Sequence, residues 1–268
     1  GYTRIARKAA NPDSDAGQVE IVVEGERSPK FESLHPLDTK MAISADGSRL
    51  AFTAKHLGRD HLFVWDLESG TEQRQLTFDE VIAINSPTWS PDGRTLAFSG
   101  ADRGGMADLY SVVVETGRLR QITTDIYHDR DPDWSPDGRR IAFSSDRWSG
   151  GRDGHYNIFL YDLETDRVSP LTRGDHNDLQ PAWSGDGMRL AFSSDRNGMF
   201  DLYSVHLDSL SAGRVRTARL THSLTGIFDP EWLPDGNALL FSGFENRSFQ
   251  IYRLEVPSPG PIAVDSVD

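Results

Sequence analysis

The chain has 268 residues, a formal net charge of −13 and no cysteine. This length suits one domain or two small ones, and the acidic balance disfavours a nucleic-acid partner. Disulfides and thiolate metal sites are excluded, and no apolar run approaches the roughly 18 residues that cross a bilayer, so we expect no membrane insertion.

Two strand-like segments open the chain. Residues 2–8 and 19–25 have the composition of the third and fourth strands of a small sheet, and a turn-rich stretch joins them. No first or second strand precedes them. Residues 1–29 are therefore expected to form a partial blade that supplies closing strands to a larger array.

Residues 30–256 contain one phrase that returns five times. Its Asp-Gly pair begins at positions 46, 92, 137, 186 and 235, so the spacings are 46, 45, 49 and 49 residues. A tryptophan precedes the pair in the last four units, whereas Ile43 takes its place in the first. A period in the forties with strand-rich units is typical of a β-propeller.

Each unit reads as a series of four strands. An apolar triplet such as Ile141-Ala142-Phe143 follows the Asp-Gly turn, and a third strand such as Ile158-Phe159-Leu160 comes next. A further turn leads to a fourth strand that ends in Leu-Thr or Ile-Thr. No stretch has a sustained helical period. The pattern predicts an all-β fold, a propeller of four-stranded antiparallel blades with five full repeats and partial terminal strands, giving five or six blades.

The recurring Ser-Pro-Asp-Gly phrase has a mechanical explanation. Proline presets φ at the second turn position, and glycine accepts the left-handed conformation that restarts the hairpin. The tryptophans at 89, 134, 183 and 232 are expected to fill the seams between neighbouring sheets. We assign these residues no chemistry. The last segment, 257–268, is predicted to be a tail or a closing strand, with 261–267 as a last outer strand.

The complete repeat resembles that of TolB-type, or WD40-like, propellers. The phrase Pro-x-Trp-Ser-x-Asp-Gly, the apolar triplet and the following Ser-Ser-Asp-Arg match best at 132–147 and 181–196. The resemblance extends over about residues 30–256. Segments 28–34 and 225–230 are similar to large exported bacterial proteins that join such a propeller to a metallopeptidase-like domain. The resemblance implies a periplasmic or exported piece of a larger protein, whose targeting signal is not within this sequence.

The loops that enter each first strand and follow each second strand differ from unit to unit, whereas the turns on the other face are uniform. Diverse loops are where a scaffold specialises, so we expect the binding surface at the mouth of the propeller channel. This acidic surface is expected to bind a protein or peptide, with the oligomeric state left open. The candidate binding residues are Asp38, His128, Asp129, Asp131, Arg147, His176, Asp178, Arg196 and Asp229.

Two other interpretations of the same residues stay open. In the first, Asp131 and Asp229 accept hydrogen bonds from the backbone of neighbouring blades, and Asp146 and Asp195 pair with arginine. In the second, Asp129, Asp131 and Asp178 bind calcium, which prefers several oxygen ligands. Asp129, Asp131 and Asp133 alternate along one strand, which would aim all three to one side. No other cofactor is expected.

Catalysis is not expected from this sequence. It has neither a Gly-x-Ser-x-Gly elbow nor a His-Glu-x-x-His pair, so no α/β-hydrolase or zinc-protease centre is encoded. The sequence favours a non-catalytic interaction module of a bacterial cell envelope. The alternatives are an accessory or gating propeller of a peptidase with its catalytic domain elsewhere, and a carbohydrate-active propeller enzyme.

Overall fold

A computed structural model describes residues 40–149, 151, 154–207, 217–245 and 247–256, and the backbone of earlier strands at 4–8, 19–24 and 33–34. Apart from a one-turn 3₁₀ helix at Asp146–Ser149, the regular structure of these residues is β. The chain divides into two compact units. The first comprises residues 1–105 and 110–121, and the second comprises 106–109 and 122–268.

The first unit contains a two-stranded sheet and most of two blades. β1 (Arg4–Lys8) and β2 (Val19–Glu24) pair antiparallel, as predicted for a third and a fourth strand. In the first blade, β3 and β4 both pair with β5, and β6 and β7 follow. The second blade has the order β8-β9-β10-β11. The bounds are β3 (Ser33–Leu34), β4 (Ala42–Ile43), β5 (Arg49–His56), β6 (Arg59–Asp66), β7 (Thr71–Leu76), β8 (Ala83–Trp89), β9 (Thr95–Ala101), β10 (Ala107–Val113) and β11 (Arg118–Gln121).

The second unit contains the third, fourth and fifth blades. Two have four antiparallel strands, in the orders β12-β13-β14-β15 and β16-β17-β18-β19, and the third has β20-β21-β22 within the described residues. The predicted closing strand at 261–267, like the whole segment 257–268, lies outside them. The bounds are β12 (Asp129–Trp134), β13 (Arg140–Ser145), β14 (Asn157–Asp162), β15 (Arg167–Pro170), β16 (Asp178–Trp183), β17 (Arg189–Ser194), β18 (Asp201–His206), β19 (Thr217–Arg219), β20 (Ile227–Trp232), β21 (Ala238–Glu245) and β22 (Ser248–Glu255).

Apolar side chains pack between neighbouring blades of each unit. Trp89 lies in a cluster with Leu62 of the first blade and Phe98 of the second. Trp183 joins the third and fourth blades, and Trp232 joins the fourth and fifth. These three rings are 6–7% exposed, which confirms their predicted place at the seams. Trp134 is only partly buried.

The glycines of the Asp-Gly turns have the predicted left-handed conformation. The turns also contain side-chain contacts that the sequence did not predict. Gly47, Gly93, Gly138, Gly187 and Gly236 all have φ between 64° and 72°. In four of the turns a serine hydroxyl donates to the aspartate two residues later, at 2.5–2.6 Å. An arginine at the start of β5, β13 and β17 stacks on the next seam tryptophan, with 4.3–5.5 Å between guanidinium carbon and ring centre.

The chain is therefore an all-β protein with the propeller fold, as predicted. In the described part of the chain, no helix is both long enough and apolar enough to span a bilayer.

Candidate functional site

The first strands of the second to fifth blades share a β-bulge. Ser86, Asp131, Gln180 and Asp229 each lie three residues before the seam tryptophan and have φ between 51° and 57°. A proline follows each of them and cannot donate to the ladder. In β12, Asp131 and Pro132 together stand opposite Phe143, because the register shifts between Arg130 and Asp133. Bulges of this kind re-aim side chains and interrupt the strand alternation.

The bulge separates the three aspartates that alternate in β12. Asp129 is bound by Arg147, Asp131 lies beside Arg130, and Asp133 accepts the backbone N–H of Trp183 at 2.8 Å. The expectation that all three point to one side is therefore wrong. Asp133, which the prediction did not name, makes a contact with the backbone of a neighbouring blade. Asp131, which it did name, accepts the Arg130 Nε at 3.1 Å.

Asp129 is fully buried at the start of β12 and forms an ion pair with Arg147. The Arg147 Nη2 donates to both carboxylate oxygens, at 2.8 and 2.6 Å. Burial raises the pKa of Asp129, and the charge of Arg147 only partly opposes this. Arg147 also lies over the Tyr127 and Phe143 rings, with 5.5 and 5.3 Å to the ring centres. The guanidinium is thus fixed between a buried carboxylate and aromatic walls.

Asp178 repeats this arrangement in the next blade with one difference. It is fully buried, and the Arg196 Nη2 donates to it at 2.8 Å. His176 Nε2 lies 3.4 Å from the other carboxylate oxygen, the separation of an ion pair rather than of a good hydrogen bond. Burial acts to raise the pKa of Asp178, but the contact with His176 and the charge of Arg196 outweigh it and lower that pKa. Tyr127 occupies the position of His176 in the third blade.

The aspartates of the two Asp-Arg pairs accept backbone N–H groups. Asp146 accepts the N–H of His128 at 2.9 Å, and Asp195 accepts the N–H of Asn177 at 2.7 Å. Within the described residues Asp195 makes no ion pair with arginine, so that part of the expectation is wrong. Pairing of Asp146 with arginine stays a prediction. Asp146 and Asp195 fix the loops that lead into β12 and β16, so that Arg147 and Arg196 are free to reach the buried carboxylates.

Gln180 and Asp229 form a reciprocal pair between the fourth and fifth blades. The Gln180 side-chain amide donates to the Asp229 carboxylate at 2.6 Å, and its carbonyl accepts the Asp229 backbone N–H at 3.0 Å. The Gln180 N–H in turn donates to the Ser144 hydroxyl of the third blade at 3.2 Å. Asp229 is exposed, so this network presents a carboxylate of fixed position to solvent.

The predicted site residues of the second unit fall into three groups. Asp129, Asp178, Arg147 and Arg196 form buried pairs, whereas Asp131 and Asp229 occupy bulges. His128 and His176 are partly exposed beside these groups. Asp38 lies outside the described residues.

The predicted calcium ligands do not come together. Among the described residues, the acidic group with mutually close ligand atoms is Asp108, Asp125 and Asp129, with all three within 4.8 Å of one another. Asp131 and Asp178 do not belong to it. Arg147 lies 3.1 Å from Asp125 and 2.6 Å from Asp129, so one guanidinium already pairs with two of these carboxylates. Calcium binding stays a prediction.

Sequence reasoning missed two contacts between an arginine and an aromatic ring in the third blade. Arg130 lies over the Tyr156 ring at 5.6 Å, and Arg173 lies over the Trp148 ring at 4.9 Å. Trp148 is 44% exposed, and Tyr and Trp with arginine are enriched in protein interfaces. The sequence feature that could have indicated these contacts is the longer loop of the third blade, because its tryptophan has no counterpart in the other repeats.

Comparison with known proteins gives a family match and several similar structures. A family model described as a TolB beta propeller domain matches residues 32–152 and 132–260. The structure of a putative TolB from Agrobacterium tumefaciens is similar, with 21% identity, a TM-score of 0.72, and coverage of 89% of this chain and 80% of that one. No curated protein matches the chain.

Two further structures are longer than this chain. TolB from Acinetobacter baumannii has 20% identity and a TM-score of 0.70, with 95% of this chain covered but only 60% of that protein. A puromycin-hydrolyzing peptidase from Mycobacterium tuberculosis has 19% identity and a TM-score of 0.61, with 80% and 36% covered. At these identities the likeness concerns the fold alone.

Proposed function

Because the chain belongs to the TolB β-propeller domain family, we propose that it is a non-catalytic module that binds a protein or peptide in a bacterial cell envelope. A periplasmic or exported location is part of the proposal, and the resemblance of segments 28–34 and 225–230 to exported bacterial proteins supports it.

The observation that carries the proposal is the series of bulges in the second unit. Asp131, Gln180 and Asp229 hold left-handed backbone, which costs a non-glycine residue about 1–3 kcal/mol and is concentrated at functional sites. The backbone N–H groups of Gln180 and Asp229 donate to side chains of the preceding blade, which holds both residues in place. A surface that is already rigid loses little conformational entropy when a partner binds.

Most of the predicted acidic residues of this surface are buried and therefore not available to a partner. Asp129 and Asp178 are fully buried and paired with arginine, so they offer no net charge to a partner. Asp131 is 5% exposed and lies beside Arg130. Asp229 is the exposed carboxylate among the bulge residues of the second unit, and we propose that it contacts a basic segment of the partner.

The test is capture of partners from a bacterial envelope extract by the immobilised chain. Asp229→Asn keeps the size and an acceptor oxygen for Gln180 but removes the charge, so we expect normal folding and reduced recovery. The matched control is Glu68→Gln on an exposed turn of the first blade. Recovery by the unmodified chain should also fall as salt shortens the Debye length. Equal recovery by both variants at every salt concentration would refute the role of Asp229.

A second candidate is an accessory or gating propeller of a peptidase. The likeness of this chain to 36% of a peptidase from Mycobacterium tuberculosis motivates it. Sequencing the complete reading frame separates the two candidates, because a catalytic domain beside the propeller would favour the peptidase. Assays of the isolated chain on polysaccharides address the carbohydrate-active alternative.

A further inference from the structure

A cleft of about 560 Å³ in the first unit is lined by three arginines from separate segments. Arg49 begins β5, Arg74 lies in β7, and Arg94 follows the Asp-Gly turn of the second blade. The volume falls in the range of about 300–1,000 Å³ that small-molecule sites occupy.

Two of the three guanidinium groups are held by backbone carbonyls. The Arg49 Nη2 donates to the carbonyl of Gly93 at 2.7 Å, and the same group stacks on the Trp89 ring at 4.5 Å. The Arg74 Nε donates to the carbonyl of Val114 at 3.1 Å, and its Nη2 donates to that of Glu115. A carbonyl fixes a guanidinium without cancelling its charge. Each guanidinium has five N–H groups, so both arginines retain donors for a ligand.

The acidic side chains of the cleft offset only part of the charge of its arginines. Asp92 and Glu115 are the two carboxylates of the lining, against three arginines. Asp92 accepts the Ser90 hydroxyl at 2.6 Å and the Arg94 backbone N–H at 3.0 Å, so its carboxylate is committed to the turn. Within the described residues, no carboxylate lies within 4.0 Å of an Arg49, Arg74 or Arg94 nitrogen. With three arginines and two carboxylates, the lining has a net formal charge of +1 in a chain whose net charge is −13.

The repeats of the second unit show that the fold does not require this set. Arg189 makes the same clamp as Arg49, donating to Gly236 at 2.7 Å and stacking on Trp232. The position of Arg74, two residues before the Leu-Thr pair, is taken by Ser169 and Ala218 in the third and fourth blades. The turn and the seam therefore form without an arginine at the position of Arg74, so neither of them explains why this arginine is present.

We propose that this cleft binds an oxyanion, the phosphate or carboxylate group of a small ligand. A guanidinium group presents paired N–H donors that can bind two oxygens of a phosphate or carboxylate group, and pre-positioned groups lose little freedom on binding. Arg49 and Arg74 supply the fixed donors, and the exposed Arg94 supplies a third. This site is independent of the partner surface proposed for the second unit.

The test is titration of the intact chain with inorganic phosphate and with citrate, measured by calorimetry at constant ionic strength with chloride as the balancing anion. We expect saturable binding of at least one of the two, weakened about tenfold or more by Arg94→Gln. The matched control is Arg139→Gln, because Arg139 is exposed and follows the Asp-Gly turn of the third blade, as Arg94 does in the second.

Binding of phosphate alone would assign a phosphoryl ligand, binding of citrate alone a carboxylate, and either supports the site. Absence of saturable binding for both anions would overturn the proposal, as would equal weakening by Arg94→Gln and Arg139→Gln. Arg74→Gln, which also removes two contacts to the neighbouring turn, should reduce binding as well. Unchanged affinity in a folded Arg74→Gln protein would equally contradict the proposal.

Discussion

Buried carboxylates in the second unit keep arginine as their counter-ion. Asp129 and Asp178 are fully buried, and the arginines that bind them come from the loop after the second strand of the same blade. The sequence predicted that these four residues lie together. It did not show whether each arginine binds the aspartate at the start of the first strand or the aspartate that precedes the arginine in the loop. That choice depends on how the loop closes over the strand.

Replacing Arg147 by Met tests the buried pair directly. The substitution keeps much of the apolar stem but leaves Asp129 without its counter-ion, so we expect a loss of about 3–5 kcal/mol in the free energy of unfolding, measured in urea. Asp125→Asn removes only the more exposed partner of Arg147 and should cost less than about 1 kcal/mol. A loss for Arg147→Met as small as that expected for Asp125→Asn would mean that the buried pair does not stabilise the blade.

The lowered pKa of a turn aspartate predicts how the stability of the protein changes at acid pH. Hydrogen bonds from the Ser44 hydroxyl and from Ser48 lower the pKa of Asp46 from 3.8 to about 2. A carboxyl whose pKa is lowered by folding stabilises the protein above pH 3.8, and this contribution is lost as the pH falls toward 2. The difference in urea midpoint between the unmodified chain and Asp46→Asn should therefore shrink between pH 5 and about pH 2. A difference that does not change with pH would contradict this linkage.

At the scale of elements, the strands were predictable and the bulges were not. Triplets such as Ile141-Ala142-Phe143 are apolar because both faces of the strand are covered, and all three residues are fully buried. The bulge in β12 was missed because strand alternation was applied across Asp131 and Pro132. Ile251 of β22 is 80% exposed although its counterparts Leu62, Leu109, Ile158 and Leu202 are fully buried, a difference in packing that its own sequence does not reveal.

The seam tryptophans should differ in what they contribute to stability. Trp183 is 7% exposed and packs against two blades, so Trp183→Ala should cost about 3–5 kcal/mol. Trp134 is only partly buried, and the same substitution there should cost clearly less. Chemical denaturation of the two variants gives the comparison. An equal or larger loss for Trp134→Ala would show that the seams are wrongly assigned.

For the whole molecule, the repeat period was enough to predict the propeller, and the residues of the repeat indicated its family. Five Asp-Gly turns at spacings of 45–49 residues leave few other ways to arrange the strands. The charge of the candidate surface was not predictable in the same way. The number of aspartates suggested that the channel mouth is acidic. Asp129 and Asp178 are buried and paired with arginine, however, so they add no net charge to the surface that a partner contacts.

The most direct test of the proposed partner surface is hydrogen–deuterium exchange of the chain with and without a partner captured from the envelope extract. We expect added protection of backbone amides around residues 129–131, 178–180 and 227–229, where the bulges of the second unit lie. The uniform turns at 135–138 and 184–187 should exchange as before. Protection confined to those turns, with no change at the bulges, would contradict the account.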